Sequence, residues 1–358
     1  MLKMNKLERL QSRIGTIADC GIITDDVNRR YFTGMKSSAG ILLVFPEESV
    51  FVIDFRYIEK AKKTVRDCRV VLESSSPMEQ IKEILSTHNA KSAAVDSETC
   101  TVSQLNMYRE KLGVDISDSN EFAKAIREIR LVKTQDEINK IISAQRIAEA
   151  GFEYMLDFIK VGKTEKEVRL ALDFYMLSHG AEALSFDTIA LSGKNTSLPH
   201  GVPSDKVIEN GDFVLMDFGA VVDGYHSDMT RTVCVGRPTE EMERVYNIVL
   251  RAQEAALSQL KAGMSGYDFD KIARDIISAE GYGDNFGHSL GHGVGVEIHE
   301  NPVASPTRKN IIPENSVITV EPGIYIEDKF GVRIEDFAVV KADGCEDLTL
   351  ADKKLIIL

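Results

Sequence analysis

Positive charge is in short supply along this chain. Lys and Arg total 43 against 56 Asp and Glu over 358 residues, a formal net charge of −13. That deficit excludes a general affinity for nucleic acid or an anionic membrane, both of which call for a basic footprint. Long apolar runs are also missing. The longest, such as ILLVF, are far shorter than the ~20 residues that span a bilayer, and the opening MLKMNKLERLQSR has no apolar stretch of signal-peptide length. A cytoplasmic protein is expected. The five cysteines (Cys20, Cys68, Cys100, Cys234, Cys345) are scattered, odd in number and never spaced C-x-x-C, so reduced, buried thiols are expected rather than a disulfide framework. There is no short-period repeat, no low-complexity segment and no H-E-x-x-H, since Glu300 follows His299 but position 303 is valine.

What is present describes an ordinary globular chain, 43% hydrophobic and 28% charged, with a length that predicts about two domains. As far as residue 120 or so, short β-rich runs (GIIT, GILLVF, VFVID, RVVL, KSAAVD) alternate with helix-like stretches such as PMEQIKEILSTH, an α/β texture. The texture changes over EFAKAIREIRLVKTQDEINK. Thr134 with Glu137 and Thr164 with Glu167 form capping boxes that open helices over 134–159 and 165–179. The boundary falls within 121–133, dividing the chain into 1–125 and 126–358. Arg127, Arg130 and Lys133 at that boundary read most simply as a solvated helix end. The second part continues with a strand SFDTIAL, a loop KNTSLPHGVPSD, a hairpin over 213–235 and two helices near 239–261 and 269–280, stopped by Gly263 and Gly281. A Gly-rich loop and three strand-like runs, SVITVEP, GIYIE and GVRIEDFAVV, follow. Helices gathered beside antiparallel hairpins make this part α+β.

Candidate chemistry begins in DFGAVVDGYHSDMTRT, residues 217–232. Asp-Gly between strand-like runs signals a two-residue type I′ turn. With Asp223 and Gly224 as that turn, facing positions sum to 447, so Asp217 lies opposite Thr230 and Asp228 opposite Gly219. Asp217, Asp228 and Thr230 then share one face, with the two aspartates diagonal neighbours, roughly 7–8 Å apart at the backbone. Two solvated aspartates beside a turn is the blander reading, and this stretch alone leaves both open. Glu321 repeats the pattern at the end of SVITV. Glu335, inside GVRIEDFAVV, alternates onto one face with Arg333 and Phe337; burying it requires a partner, and a simple ion pair with Arg333 would suffice.

Between these carboxylates, GHSLGHGVGVEIHE places His288, His292 and His299 within twelve residues. The glycines make a helix improbable there, so a loop or extended segment is expected to bring an imidazole inward. GHSLG matches the G-x-S-x-G nucleophile elbow at Ser289, but no buried strand precedes it and no helix follows, so a serine hydrolase is disfavoured. GHGVG fails the dinucleotide fingerprint on the same ground. Asp217, Asp228, Glu321 and Glu335 would be untenable together without cations or protons, since two like charges roughly 4 Å apart repel by about 4 kcal/mol at an effective dielectric near 20. Two divalent ions would neutralise the four. Oxygen-rich ligation with one imidazole favours Mn²⁺, with Co²⁺, Fe²⁺ and Zn²⁺ as alternatives.

In LPHG, MDFGAVVDGYHSDMTRT, GHGVGVEIHE, VEPGIYI and VRIED, in that order, residues 134–358 resemble the pita-bread metallopeptidases, a group that includes aminopeptidase P, prolidase, creatinase and methionine aminopeptidase. NRRYFTGM and DFRY give a looser resemblance to the creatinase-type domain that precedes the catalytic one in aminopeptidase P and prolidase. The resemblance implies a pita-bread catalytic domain behind a smaller α/β creatinase-type domain, with the two carboxylate hairpins as pseudo-symmetric halves of one sheet. It implies a dinuclear site of Asp217, Asp228, His292, Glu321 and Glu335, with Asp228 and Glu335 bridging. The implied reaction is hydrolysis of the N-terminal Xaa-Pro bond of proline-containing peptides, the ions activating water and polarising the carbonyl. Glu321 would double as a proton shuttle, His200 and His299 would bind substrate, His288 would line the pocket, Arg333 and Thr230 would orient ligands, and Tyr325 would lie near the proline. A homodimer is implied as well. Some prolidases carry an arginine four residues after the second of these histidines, suited to a dipeptide's carboxylate. Val303 stands there, favouring an Xaa-Pro aminopeptidase over a dipeptidase. The absence of tryptophan removes any substrate contact that relatives make with one. An inactive peptide-binding module is the alternative from another class, and the intact ligand set argues against it.

Overall fold

The β-rich runs of the first third of the chain pair with one another. In the computed structural model, which describes residues 4–358, they form a six-stranded mixed sheet in the order Arg69–Leu72, Ser49–Ile53, Ile41–Val44, Cys20–Ile23, Ser92–Val95, Asp115–Ser117. The last strand, a three-residue edge piece, gives no alternation for sequence reading to detect. Leu43, Val50, Val52, Ile81, Leu85 and Tyr108 share one buried cluster of this unit. Gly21 permits close packing on the central strand: a Cβ there would lie 2.3 Å from the Phe122 ring. The chain divides into two units, Met1–Arg130 and Leu131–Leu358.

In the second unit the helices Gln135–Phe158 and Glu165–Ser178 open on the reciprocal caps of Thr134 with Glu137 and Thr164 with Glu167. Glu240–Gln259 and Gly266–Ala279 pack their apolar faces into a cluster with Phe213, Ile318, Val320, Ile324 and Ala338. Among the described residues no helix is long and apolar enough to cross a membrane.

The hairpin turns at Asp223 and Gly224, with φ of 51° and 81°. Val222 faces Tyr225 and Asp217 faces Thr230, the register expected from the Asp-Gly turn. The ladder breaks at Gly219, whose Cβ would meet the Ser227 carbonyl at 2.0 Å. Glycine there lets the two strands close up next to Asp228.

Three expectations change. GVRIEDFAVV is not one strand but two, Phe330–Arg333 and Asp336–Lys341. The break falls at Glu335 because its N–H turns to the Thr230 carbonyl, 3.1 Å away, making an isolated bridge between the hairpins. The strands also form separate two-, three- and five-stranded sheets rather than one, with that bridge joining the carboxylate-bearing segments. SFDTIAL supplies only the start of a strand, Ile189–Ser192.

Candidate metal centre and active site

Asp217 ends an apolar strand, Phe213–Phe218, and Asp228 directly precedes its partner, Met229–Cys234. Glu321 follows Val317–Val320 and Glu335 sits at the strand break. His292 lies mid-way along the short strand Gly291–Gly293, where a Cβ on Gly291 would meet the Thr319 carbonyl at 2.0 Å. The glycines of this run therefore let the backbone approach its neighbours while the imidazole alone projects.

All five side chains line one cavity of about 390 Å³, together with His200, His288, His299 and Arg333. Ligand atoms of Asp228, His292 and Glu335 lie within 4.8 Å of one another. His292 Nε2 stands 3.6 Å from Asp228 Oδ2 and 3.4 Å from Glu321 Oε1. Its Nδ1 is 3.1 Å from the Gly293 carbonyl. A carbonyl only accepts, so Nδ1 carries the proton and Nε2 keeps a lone pair that faces the acceptor oxygens of the carboxylates, an arrangement a cation between them would satisfy.

Burial pushes the Asp228 and Glu335 carboxyls well above the usual range, and repulsion among the acidic neighbours adds to it. Burial pushes Glu321 up to about 8. Asp217 is paired with Arg333 at 2.5 Å through Oδ2, yet its Oδ1 is buried with no hydrogen-bond partner. A buried orphan acceptor, an imidazole with a free lone pair and three carboxyls under electrostatic strain fit divalent cations: an ion supplies the missing charge and the missing bond.

Groups behind the carboxylates fix their orientation. Thr230 donates to Glu335 Oε2 at 2.7 Å and accepts from Arg333 Nε at 3.0 Å. Arg333 also donates to Tyr325 Oη at 2.7 Å and to the Pro199 carbonyl at 3.4 Å. Its ion pair is with Asp217, so the pairing with Glu335 weighed from strand alternation is not the one formed; the strand break explains why. His288 contacts the Ser289 carbonyl through Nδ1 at 2.8 Å and the Tyr325 hydroxyl through Nε2 at 3.0 Å. Both of its nitrogens are thus occupied by the protein, and burial, with Arg333 nearby, lowers it to about 4. Tyr325 turns its hydroxyl to Arg333 and His288 and is not on the cavity wall. His200 and His299 are on that wall, with the His299 ring edge-on to His292 at 4.4 Å between centroids.

Thr319 escaped sequence reasoning. Its hydroxyl donates to Glu321 Oε1 and accepts from the His292 N–H, both at 3.0 Å, tying two carriers of the cluster together. Its two-residue spacing from Glu321 on a strand was the available signal. Phe186, Asp187, Ile189, Pro199 and Ile298 complete the wall; Pro199 and Ile298 lie within LPHG and GHGVGVEIHE, but only the histidines of those motifs were singled out, and nothing around the other three marked them. Ser289 reaches the wall too, but only a short strand follows it, so the elbow geometry is absent.

Comparison with known proteins agrees with this arrangement. The model of metallopeptidase family M24 matches residues 139–342, and that of the creatinase/prolidase N-terminal domain matches residues 5–132. The chain belongs to metallopeptidase family M24. This M24 peptidase is 40% identical over 339 residues to an Xaa-Pro dipeptidase of Pyrococcus furiosus, covering 93% of this chain and 94% of that one. Its fold matches an Xaa-Pro dipeptidase from Bacillus anthracis with a TM-score of 0.95 at 39% identity, 99% of each chain being covered. It matches an X-Pro aminopeptidase from Thermotoga maritima with a TM-score of 0.92 at 37% identity, over 99% of this chain and 100% of the other. The enzyme is therefore a metallopeptidase with the pita-bread fold behind a creatinase-type N-terminal domain.

Proposed function

We propose that this M24 peptidase removes the first residue from peptides whose second residue is proline, using two divalent ions, manganese in the first instance, held by Asp217, Asp228, His292, Glu321 and Glu335. The observation that carries the reading is the convergence of these five side chains on one cavity in which Asp217 Oδ1 is buried and unpartnered. When bound, such ions acidify water and polarise a carbonyl. Glu321 accepts the proton that the attacking water gives up and passes it to the leaving proline nitrogen. His200 and His299 hydrogen-bond the peptide from the wall, and Phe186, Ile189, Pro199 and Ile298 offer apolar surface to the proline ring.

The choice between aminopeptidase and dipeptidase turns on the free carboxylate of a dipeptide. Among the described residues Arg333 is the one Lys or Arg on the cavity wall, and it is committed to Asp217, Tyr325 and Thr230. Asp187, on the same wall, adds a carboxylate rather than a cation, and its own partner Arg169, 3.9 Å away, is not on the wall. Both features favour longer peptides. Named relatives of either kind keep the Xaa-Pro dipeptidase reading as the second one.

An activity panel after metal removal and reconstitution tests the proposal with Xaa-Pro dipeptides, Xaa-Pro tripeptides and Met-Ala peptides. Chelator-sensitive cleavage restored by Mn²⁺ is expected, with kcat/KM highest for the tripeptides. Preference for the dipeptides favours the second reading. Peptide binding without cleavage under every metal would leave only the binding module. Sedimentation of the same preparation checks the proposed homodimer.

A further inference from the structure

Glu165 opens the helix Glu165–Ser178 and is 1% exposed. Among the described residues no lysine or arginine pairs with it. Instead its two oxygens divide between the two ends of a single loop. Oε1 accepts from the Ser192 N–H at 2.7 Å, the Ser192 hydroxyl at 3.2 Å and the Asn195 side-chain amide at 3.0 Å. Oε2 accepts from the Ser204 N–H at 2.9 Å and the Ser204 hydroxyl at 2.6 Å. Five donors surround one carboxylate, and the positive end of the helix stabilises its charge.

The loop so held, residues 192–204, carries His200 to the cavity wall. Its first part, Gly193–Ser197, is a short turn packed at the buried Thr196, and past that the loop is weakly tethered. Lys194, Leu198, His200 and Val202 are exposed, Thr196 accepts from the Gly331 N–H at 2.8 Å, and the bond from Arg333 to the Pro199 carbonyl is long, at 3.4 Å. Between Thr196 and Ser204 the strongest attachments are therefore those at Ser204. Ser192 is also paired with Val214 in its sheet, the Lys166 N–H holds the Ser204 carbonyl at 3.2 Å, and Lys206 donates to both serine hydroxyls. Among these ties the Glu165 carboxylate is the one that takes the N–H and the hydroxyl of each serine, and with them sets the span of the loop and the height of its apex.

We propose that Glu165 is a positioning residue for His200: by clamping Ser192 and Ser204 together it sets where the imidazole meets the peptide. The inference rests on the reading of His200 as a substrate-binding group. Glu165 touches neither substrate nor metal ligands, so its effect passes through KM. A glutamine in its place keeps one acceptor but turns the other toward donation, which the Ser204 N–H cannot use.

The test uses the full Mn²⁺-reconstituted chain and an Xaa-Pro tripeptide, with E165Q, H200A, the double variant and S204A. E165Q is expected to raise KM roughly tenfold with kcat nearly unchanged. The double variant is expected to match H200A within about twofold, because the two residues act as one unit. Amide exchange in E165Q is expected to quicken over residues 192–204 alone. An E165Q enzyme with parental KM and exchange, beside an impaired H200A, overturns the inference by itself. Additive effects overturn it too, since Glu165 would then act elsewhere. H200A with parental KM overturns the reading of His200 and takes the inference with it. Should E165Q fail to fold, S204A removes the 2.6 Å bond to Glu165, together with the 3.1 Å bond that the Lys206 N–H makes to the same hydroxyl; a folded S204A with unchanged KM and loop exchange counts equally against the clamp.

Discussion

The Thr230 hydroxyl lies 2.7 Å from Glu335 Oε2, and this bond spans 105 residues of sequence to join the two carboxylate-bearing hairpins. Because the same oxygen accepts from Arg333, its single proton must point at the glutamate. Thr230→Val keeps the shape and deletes both bonds. The Glu335 carboxylate then loses its aim and Arg333 Nε is left buried without an acceptor. Metal affinity is expected to fall about 10–100-fold, with activity at limiting Mn²⁺ falling in step, as titration calorimetry and kinetics will show. Unchanged affinity would mean that the hydroxyl does not orient Glu335.

Removing a carboxylate should act oppositely on the metal-free and metal-loaded protein. Asp228 is buried among Asp217, Glu321 and Glu335, which repel it. Asp228→Ala is expected to abolish activity and metal uptake together, while leaving the melting temperature of the metal-free protein equal to the parent's or higher. In the parent, ion at a hundredfold excess over its Kd adds about 2.7 kcal/mol; the variant should gain almost nothing. Full activity in Asp228→Ala would refute the site.

What the sequence made legible depended on range. The Asp-Gly turn is a local signal, so the pairing of Asp217 with Thr230 followed from it and appears in the structure. The capping boxes at Thr134 and Thr164 were equally local. The partner of Arg333 was not, because strand alternation knows only its own strand; the N–H of Glu335 leaves for the Thr230 carbonyl, the strand breaks, and Asp217, 116 residues away, takes the guanidinium. Convergence of the two hairpins came from motif resemblance rather than spacing. Phe186 and Ile189 join the wall only through tertiary folding, and no pattern around them announced it.

His288 gives the protein an acid-sensitive bond. Arg333 donates to the Tyr325 hydroxyl, whose proton then goes to His288 Nε2. Protonated His288 would need the same hydroxyl to accept twice. Burial holds the folded pKa near 4 against an ordinary 6.5, so the unfolded chain binds the extra proton between those values. This contribution is complete above pH 6.5 and is lost as pH falls toward 4. Urea denaturation of metal-free protein across that window is expected to show a shallower loss of stability in His288→Gln than in the parent. Equal slopes would assign the acid sensitivity to other groups.

Arg231 holds the same two hairpins through their backbones. Its side chain is 1% exposed, pairs with Asp336 at 2.7 Å, and donates to the Thr230 and Glu335 carbonyls at 3.0 and 2.7 Å and to Ala351 at 2.8 Å. Arg231→Lys cannot reproduce that fork. It leaves carbonyls and part of the Asp336 charge unmet, so a loss of roughly 3–5 kcal/mol in folding stability is expected, read from the denaturation midpoint. A loss under about 1 kcal/mol would mean that Lys353, which also pairs with Asp336, compensates.

Specificity for peptide length offers the sharpest separation of the two catalytic readings. Val303 pairs with His292 across neighbouring antiparallel strands, and directly opposed residues present their side chains to the same face. A cation at position 303 therefore points to the side from which His292 enters the cavity, where the wall has, among the described residues, no uncommitted Lys or Arg to meet a carboxylate. Val303→Arg is expected to raise kcat/KM for Xaa-Pro dipeptides relative to tripeptides by at least about tenfold, the equivalent of one charge-assisted bond of roughly 1.4 kcal/mol or more. The gain should lie in KM, because the carboxylate is bound equally in ground and transition states. If the parent already prefers dipeptides and Val303→Arg leaves the ratio unchanged, carboxylate recognition comes from His200 or His299, and the enzyme is a dipeptidase that manages without an arginine.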